Sequence, residues 1–178
     1  MPTQAAGQKG ARARHAVAAA FKGVEGADVV LVENRFEGTS QVRGTTVSGA
    51  SRADTRRIFL DTAARTRNAT FCLVPAGYTA SSRRFYEALA AGCIPVVISD
   101  HFPFPFSDAL DWSSAAIRHS QKDVDALPRR LAKMEEAEVA RRRAAALELF
   151  DRVDYASGAA VALLLDRFAA LVAPGKRL

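Results

Sequence analysis

The clearest pattern of hydrophobic and polar positions lies in the middle of the chain. Phe71–Val74 is a short apolar run that stops at Pro75, and Ile94–Ile98 is a continuous apolar run, typical of a strand covered on both faces. Between these runs, apolar side chains recur at helical spacing, at Phe85, Ala88 and Leu89. The pattern predicts a strand, a short amphipathic helix and a second strand, which together form a βαβ unit.

The residues at the junctions of this unit agree with that prediction. Gly77 follows the first strand and tolerates backbone angles that other residues avoid. Three hydroxyl residues, Thr79, Ser81 and Ser82, are candidate N-caps of the helix. Gly92 stands where a C-terminal cap is expected, and Pro95 fits only near the start of a strand or at a sheet edge.

The rest of the chain continues the alternation of strands and helices. Residues 1–14 are predicted to be unstructured, residues 33–53 to form a long loop, and His101–Pro105 a rigid loop. Strands are predicted at Asp28–Val32 and Ala115–Ile117. Helices are predicted at Arg14–Lys22, Arg52–Asn68 with Ile58 and Leu60 packed inward, Asp123–Met134 capped by Asp123, residues 135–152, and Ala159–Val172. This order predicts an α/β fold with flanking helices and a mostly parallel, Rossmann-like sheet that lacks its first strand.

Composition and charge narrow the class of protein. With 178 residues and 49% hydrophobic residues, the chain is long enough for one domain with a core. No stretch approaches the roughly 20 apolar residues of a membrane span, and the N-terminus lacks the apolar centre of a secretory signal. The net charge is +6, but the arginines are dispersed and not interleaved with aromatic residues, which disfavours nucleic-acid binding. The positive electrostatic potential of a basic chain would also attract anionic nucleotide sugars or acidic glycans.

The candidate chemistry lies at the start of the βαβ helix. A helix N-terminus offers free amides and partial positive charge, and glycine, hydroxyls and two arginines, Arg83 and Arg84, would help it hold a phosphate. Glu87, one turn further along, would either pair with these arginines or accept hydrogen bonds from a ribose diol. In the alternative interpretation the three charges form a solvated face with a weak helical ion pair, worth about 0.2–0.5 kcal/mol. The turn matches neither the Walker pattern nor the GxGxxG fingerprint.

Other reactive residues have simpler explanations. Cys72 and Cys93 are interpreted as buried free thiols, with a disulfide conceivable if their strands are neighbours. Asp123-Val124-Asp125 is a DxD triplet whose position favours helix capping over metal binding. His101 and His119 are candidate bases, with an ordinary loop role favoured for His101. Trp112 is predicted to be a core or lid aromatic next to carboxylates that cap its turn, Asp108 and Asp111. Asn68-Ala69-Thr70 is a glycosylation sequon.

A family resemblance rests on several short sequence motifs that occur in a fixed order along the chain. These are FCLVPAGYTASSRRFYEALAAGCIPVVISD at residues 71–100, PF at 105–106, DW at 111–112 and KDV at 122–124. Their order and spacing resemble the exostosin-like glycosyltransferases, most strongly over residues 68–134 and more weakly back to His15. Ala76 and Ala80 depart from the family pattern, which commonly has a larger or basic residue and a proline there.

The resemblance implies a GT-B enzyme, in which two Rossmann-like halves enclose a cleft and the C-terminal half holds the donor. Residues 15–178 would be that half, behind a disordered basic segment at 1–14, and the other half would be absent from the chain or supplied by a partner chain. The family transfers a sugar from a nucleoside diphosphate sugar, usually a UDP-sugar, to a glycan acceptor, and its members are commonly anchored in the Golgi. The implied donor site comprises Gly77, Thr79, Ser81, Ser82, Arg83, Arg84 and Glu87, with no catalytic residue assigned and no metal or other cofactor.

Two alternatives to an active transferase follow from the same residues. One is a noncatalytic nucleotide-sugar-binding fragment or pseudoenzyme, which keeps the donor pocket without the acceptor half. The other is a basic interaction domain that has no nucleotide site.

Overall fold

The computed structural model describes residues 3–29, 52–77 and 81–172. Within them, three parallel strands form one sheet in the order β1, β2, β3, with bounds Phe71–Pro75, Ile94–Ile98 and Ile117–His119. β1 pairs with β2 from Phe71↔Ile94 to Pro75↔Ile98, and β3 begins two residues later along β2, at Val96↔Ile117. The α/β class and the parallel, Rossmann-like sheet are therefore confirmed.

Helices cover both faces of this sheet. The α-helices of the described part are α1 Thr3–Ala20, α2 Arg52–Asn68, α3 Arg83–Ala90, α4 Leu127–Ala132, α5 Glu136–Val153 and α6 Ala159–Val172. A 3-10 segment at Trp112–Ser114 precedes β3, and another at Gln121–Ala126 leads into α4. The predicted bounds of α2 and α6 are confirmed, and α5 lies within one residue of its prediction at each end.

Side-chain alternation along β2 divides the hydrophobic core in two. Val97 faces the core beneath α3 and α5, together with Val74, Phe85 and Trp112. Residues of opposite parity on β2 face the second core, beneath α1 and α4, and these are Ile94, Val96 and Ile98. The central strand is buried on both sides, as its continuous apolar sequence predicts.

The helix of the βαβ unit begins and ends as its sequence indicates. Ser82 is the N-cap, and its Oγ accepts a hydrogen bond from the Arg84 amide at 3.3 Å. At the other end Gly92 has φ of +69° and donates to Leu89 O, while Cys93 N donates to Ala88 O. These two bonds form a Schellman motif, which glycine favours because it has no Cβ in the left-handed conformation.

Proline is accommodated within the central strand because of the sheet register. Ile94 N donates to Thr70 O on the β1 side, so the nitrogen of the next residue, Pro95, faces the β3 side. Pairing with β3 begins only at Val96, so the missing N–H of Pro95 breaks no bond of the ladder. The expectation that Pro95 lies near the start of its strand is confirmed.

Several predicted boundaries are wrong. α1 begins at Thr3, so the alanine-rich segment predicted to be unstructured over residues 1–14 is helical where it is described. β3 lies at Ile117–His119 instead of 115–117, because Ala115 and Ala116 close the preceding 3-10 turn through bonds to Trp112 O. Ser120, not Asp123, caps the next segment, and Asp123 has non-helical angles inside it. Leu60 on α2 is 61% exposed, not packed inward.

Other predicted elements lie wholly or partly outside the described residues. The strand at 28–32 and the loop at 33–53 fall mainly within the gap at 30–51, and Thr79 of the phosphate turn falls within 78–80.

The two cysteines are joined. Cys72 on β1 and Cys93, the residue before β2, form a disulfide with Cα atoms 5.8 Å apart. The interpretation as free thiols is wrong, because parallel pairing of Phe71 with Ile94 leaves Cys72 and Cys93 as the residues that flank this pair, within bonding distance of each other. No helix of the described residues has the length and apolar character needed to cross a membrane.

Candidate functional site

The candidate site lies at the carboxyl edge of the sheet. Ala76 N donates to Ile98 O at 3.1 Å, which ties the end of β1 to the end of β2. Gly77 follows this bond, and the segment Ser99–His101 leaves β2 at the same edge. Ligands of open parallel sheets bind where such loops meet, so the position of the turn agrees with the sequence prediction.

The N-terminus of α3 faces this edge with part of its hydrogen-bonding capacity already used. The Arg84 amide donates to Ser82 Oγ at 3.3 Å and the Phe85 amide donates to Ser82 O at 3.1 Å. The serine cap thus occupies the Arg84 amide. A phosphate oxygen that bound this amide would have to displace the hydroxyl, and the guanidinium groups of Arg83 and Arg84 remain the accessible donors.

One carboxylate bridges the two arginines. Arg83 Nε lies 2.8 Å from Glu87 Oε1, and Arg84 Nη1 donates to Glu87 Oε2 at 2.9 Å. The side chains of Arg83, Arg84 and Glu87 are 61%, 50% and 35% exposed. The alternative in which Glu87 pairs with the arginines is therefore the one present in the structure. Exposed pairs of this kind contribute roughly 0–1 kcal/mol, so a ligand can rearrange them at little cost.

An aromatic ring lies near the charged group. The Arg83 guanidinium lies 6.0 Å from the centre of the Phe59 ring, on α2. Tyr86, the residue before Glu87, instead packs against the core beneath α3 and α5, where burial and a smaller contribution from Tyr155 raise the pKa of its phenol.

The structure brings together only some of the residues predicted for the donor site. Ser82, Arg83, Arg84 and Glu87 share the first turn and a half of α3, and Gly77 lies at the same sheet edge. Ser81 immediately precedes the cap, whereas Thr79 lies outside the described residues. Their roles toward a ligand stay predictions.

The two candidate bases have different environments. His119 is 8% exposed, its Nε2 lies 2.8 Å from Asp123 O, and its Nδ1 lies 3.2 Å from Arg130 Nη1. Since Arg130 can only donate, Nδ1 is the acceptor and Nε2 carries the proton. Both ring nitrogens of His119 are therefore engaged within the protein, and its role as a base stays a prediction. His101 is exposed beyond the carboxyl end of β2.

Within the described residues, no group of three or more His, Cys, Asp or Glu side chains is arranged to hold a metal ion. Asp123, the first residue of the DxD triplet, uses its main-chain carbonyl for His119. Asp111 does cap the turn at Trp112, as predicted, by accepting from Ser113 N at 2.9 Å. Asp108, the other predicted capping residue, forms an ion pair with Arg167 of α6 instead.

Sequence reasoning missed a set of arginines that hold the loops together. Arg118, Arg142 and Arg143 donate to main-chain carbonyls 16–51 residues away in sequence. In the sequence they are part of a dispersed set of basic residues with no evident partners. The available signal was the position of Arg118 between two buried residues, Ile117 and His119, on a strand.

Comparison with known proteins identifies the family. The family model of the Exostosin GT47 domain matches residues 5–134, which include the sheet and the candidate site. An Exostosin-1 homolog of Caenorhabditis elegans is 44% identical over 84 residues, covering 47% of this chain and 22% of that protein. Exostosin-1 of Drosophila melanogaster is 55% identical over 51 residues, covering 29% of this chain and 7% of that protein.

A plant protein gives a similar match. A probable glycosyltransferase of Arabidopsis thaliana is 39% identical over 70 residues, covering 39% of this chain and 15% of that protein. The chain thus matches less than a quarter of the length of each of these relatives. Because the family model covers more than half of the chain, the protein belongs to the Exostosin GT47 family.

Proposed function

We propose that this chain is the donor-binding half of a GT-B glycosyltransferase and binds a nucleoside diphosphate sugar, with a UDP-sugar as the expected donor. The observation that carries the proposal is the group formed by Arg83, Arg84 and Glu87 at the carboxyl edge of a parallel sheet. Family membership and the printed names of the relatives support the choice of glycosyl transfer.

Each side chain has a physical role in this proposal. The two guanidinium groups neutralise the diphosphate, whose negative charge grows as it leaves the sugar. Glu87 releases one of its weak ion pairs and accepts hydrogen bonds from the ribose diol. Gly77 lets the backbone approach the phosphates, and Ser82 keeps the helix start in place.

The other components of the reaction lie beyond these residues. A general base must activate the acceptor hydroxyl, and a glycan acceptor must bind across the cleft from the donor. We assign the acceptor site to a second Rossmann-like half, present in a longer chain or a partner chain. His101 lies at the edge of the described half. It would face the two substrates only if the second half closes over this edge.

UDP binding tests the proposal directly. Calorimetry should detect UDP binding to the wild-type chain, and Arg84→Ala and Glu87→Ala should each weaken it about tenfold, since 1.4 kcal/mol corresponds to that factor. Arg152→Ala, which removes an exposed arginine of α5 distant in sequence from the site, is the matched control and should leave the affinity unchanged.

The possible outcomes separate the alternatives. UDP binding with no sugar transfer after addition of candidate acceptors supports a noncatalytic donor module. Absence of UDP binding, together with retention on nucleic acid that weakens steeply with salt, would instead support a basic interaction domain. Equal loss of affinity in Arg152→Ala and Arg84→Ala would show that net charge, not the site, attracts the nucleotide.

The disulfide supports a proposed location in the lumen of the secretory pathway, as in the Golgi. Structural disulfides persist in oxidising compartments and are rare in the cytosol.

A further inference from the structure

A cavity that the described residues form lies along the outer edge of β3, away from the α3 N-terminus. Its volume is about 680 Å³, within the range of ordinary ligand sites. The loop at residues 104–113 forms one wall, and the remaining lining includes three arginines from three different elements, Arg118, Arg130 and Arg142.

Main-chain carbonyls hold these arginines in place. The Arg118 guanidinium donates to the carbonyls of Ser99, Asp100 and Phe102 at 3.3, 3.1 and 2.8 Å. It also lies 4.7 Å from the centre of the Phe104 ring. Arg142 Nη1 donates to the carbonyls of Ser113 and Ala116 at 2.8 and 3.2 Å. Long side chains fixed in this way keep their charge at one position, which lowers the entropy cost of binding.

The third arginine is fixed by β3 itself. Arg130 Nη1 donates to Arg118 O at 3.3 Å and to His119 Nδ1 at 3.2 Å. Within the part of the chain that the structure describes, one of its three guanidinium nitrogens is engaged, so Nε and Nη2 keep their hydrogen-bond capacity.

The acceptors of Arg118 and Arg130 are neutral, so their charges are not cancelled. Among the described residues, neither arginine forms an ion pair with a carboxylate, whereas Arg142 Nε lies 2.7 Å from Glu138 Oε1. Of the two aspartates of the lining, Asp108 pairs with Arg167, and Asp111 accepts from the neutral Ser113 and keeps its negative charge, so the three arginines leave an excess of positive charge. Positive charge in a concave surface creates a field that concentrates anions.

We propose that this cavity binds the oxyanion of a ligand, a carboxylate or a phosphate, at a site separate from the nucleotide-sugar turn. Arg130 donates directly to the oxyanion through Nε and Nη2, and Arg118 contributes fixed positive charge. Serine hydroxyls and the Phe104 ring line the rest of the cavity, which suits the polar and apolar faces of a sugar ring carrying that oxyanion.

The single tryptophan of the chain provides a local probe. Trp112 lines the cavity, and its Nε1–H donates to Pro105 O at 2.7 Å, so it gives one indole NMR signal beside the site. We would titrate the full chain with sodium glucuronate, glucose and inorganic phosphate at constant ionic strength. Glucuronate should shift the signal in a saturable manner, and glucose, which lacks the carboxylate, should not.

The responses to glucuronate and to phosphate distinguish which kind of ligand carries the oxyanion. Saturation by glucuronate alone assigns the site to an acidic sugar, and saturation by phosphate alone assigns it to a phosphorylated ligand. Saturation by both shows a general oxyanion site. If neither anion shifts the signal of the folded protein at concentrations up to tens of millimolar, the proposal is overturned.

Arg130→Gln and Arg129→Gln form a matched pair for the second test. Both arginines are exposed on α4, but only Arg130 lines the cavity. Arg130→Gln should weaken the anion at least fivefold while Arg129→Gln leaves it unchanged, and equal weakening would overturn the proposal. Because Arg130 also contacts His119, Arg130→Lys provides a second variant that keeps the charge, and it should weaken binding less than Arg130→Gln does, since one ammonium replaces the charge but not the paired Nε and Nη2 donors.

The proposals for this site and for the nucleotide site can be refuted independently of each other. Arg84→Ala should weaken UDP binding about tenfold without changing the response of Trp112 to glucuronate or phosphate. If Arg84→Ala removed both responses, the cavity would have no anion site of its own and the proposal would be overturned.

Discussion

Cys72 on β1 is covalently bonded to Cys93, which directly precedes β2 and donates one of the two hydrogen bonds of the Schellman motif that ends α3. The bond therefore closes the βαβ unit on itself, over a sequence separation of 21 residues. It fixes the helix that carries Arg83, Arg84 and Glu87 relative to the sheet edge.

Removing this disulfide should lower stability substantially. A disulfide that closes a loop of this length lowers the entropy of the denatured state and thereby stabilises the folded state by about 3 kcal/mol. Urea denaturation of Cys72→Ala/Cys93→Ala should show that decrease in the free energy of unfolding. As a control, reductant should destabilise the wild type by a similar amount and leave the double variant unchanged. A wild-type midpoint unaffected by reductant would contradict the prediction.

Glu87→Ala should leave the fold almost unchanged. The two ion pairs of Glu87 are exposed, so their loss should alter the free energy of unfolding by less than about 1 kcal/mol. Urea denaturation measures this, with Glu148→Ala on α5 as a control for removing an exposed glutamate. A loss above about 2 kcal/mol would mean that Glu87 is a structural residue. A small change would allow the UDP experiment to report binding alone.

Trp112→Phe should destabilise the protein through one hydrogen bond. The ring would still pack near Phe85, whose ring centre lies 5.0 Å away, but Pro105 O would lose its 2.7 Å donor. Loss of this part-buried hydrogen bond costs about 0.5–1.5 kcal/mol, whereas Trp112→Ala would also leave a cavity and cost about 3–5 kcal/mol. Circular dichroism during urea denaturation measures both, and an unchanged stability of Trp112→Phe would show that the bond contributes nothing.

Asp111 should contribute to stability at neutral pH and lose that contribution in acid. Hydrogen bonds from the Ser113 hydroxyl and then the Ser113 amide lower the pKa of the Asp111 carboxyl. A folded pKa below the unfolded value of about 3.9 gives stabilisation that is present above that pH and lost as the pH falls through the folded pKa. Unfolding measured from pH 6 downward should therefore be less pH-dependent in Asp111→Asn than in the wild type. An unchanged slope would contradict this assignment.

Asn68 should be glycosylated when the chain passes through a secretory pathway. Its side chain is exposed at the end of α2, and Asn68-Ala69-Thr70 is the acceptor triplet. Secretion from a eukaryotic host should give a product whose gel mobility changes after treatment with a peptide N-glycosidase, and Asn68→Gln should remove the change. Unmodified secreted protein would contradict the prediction.

The βαβ unit could be derived from sequence because each of its signals is local. Ser82 caps its own helix, Gly92 takes the left-handed angle at its end, and the buried residues of α3 follow helical spacing. The same applies to α2 and α6, whose bounds follow from composition and spacing. The errors at β3 and at Asp123 also have local causes, since 3-10 turns and competing serine caps shift boundaries by a few residues.

The amino-acid sequence by itself determined the α/β class, the helix that presents Arg83, Arg84 and Glu87, and the family resemblance that the family model later confirmed. Only the tertiary structure decided that Cys72 and Cys93 are bonded, that His119 is held by Arg130, and that distant arginines converge on one cavity. The physical reason is the separation along the chain between the residues that interact. Caps and periodicity depend on neighbours within a turn or two, whereas strand register and long side chains join residues that only the folded chain brings together.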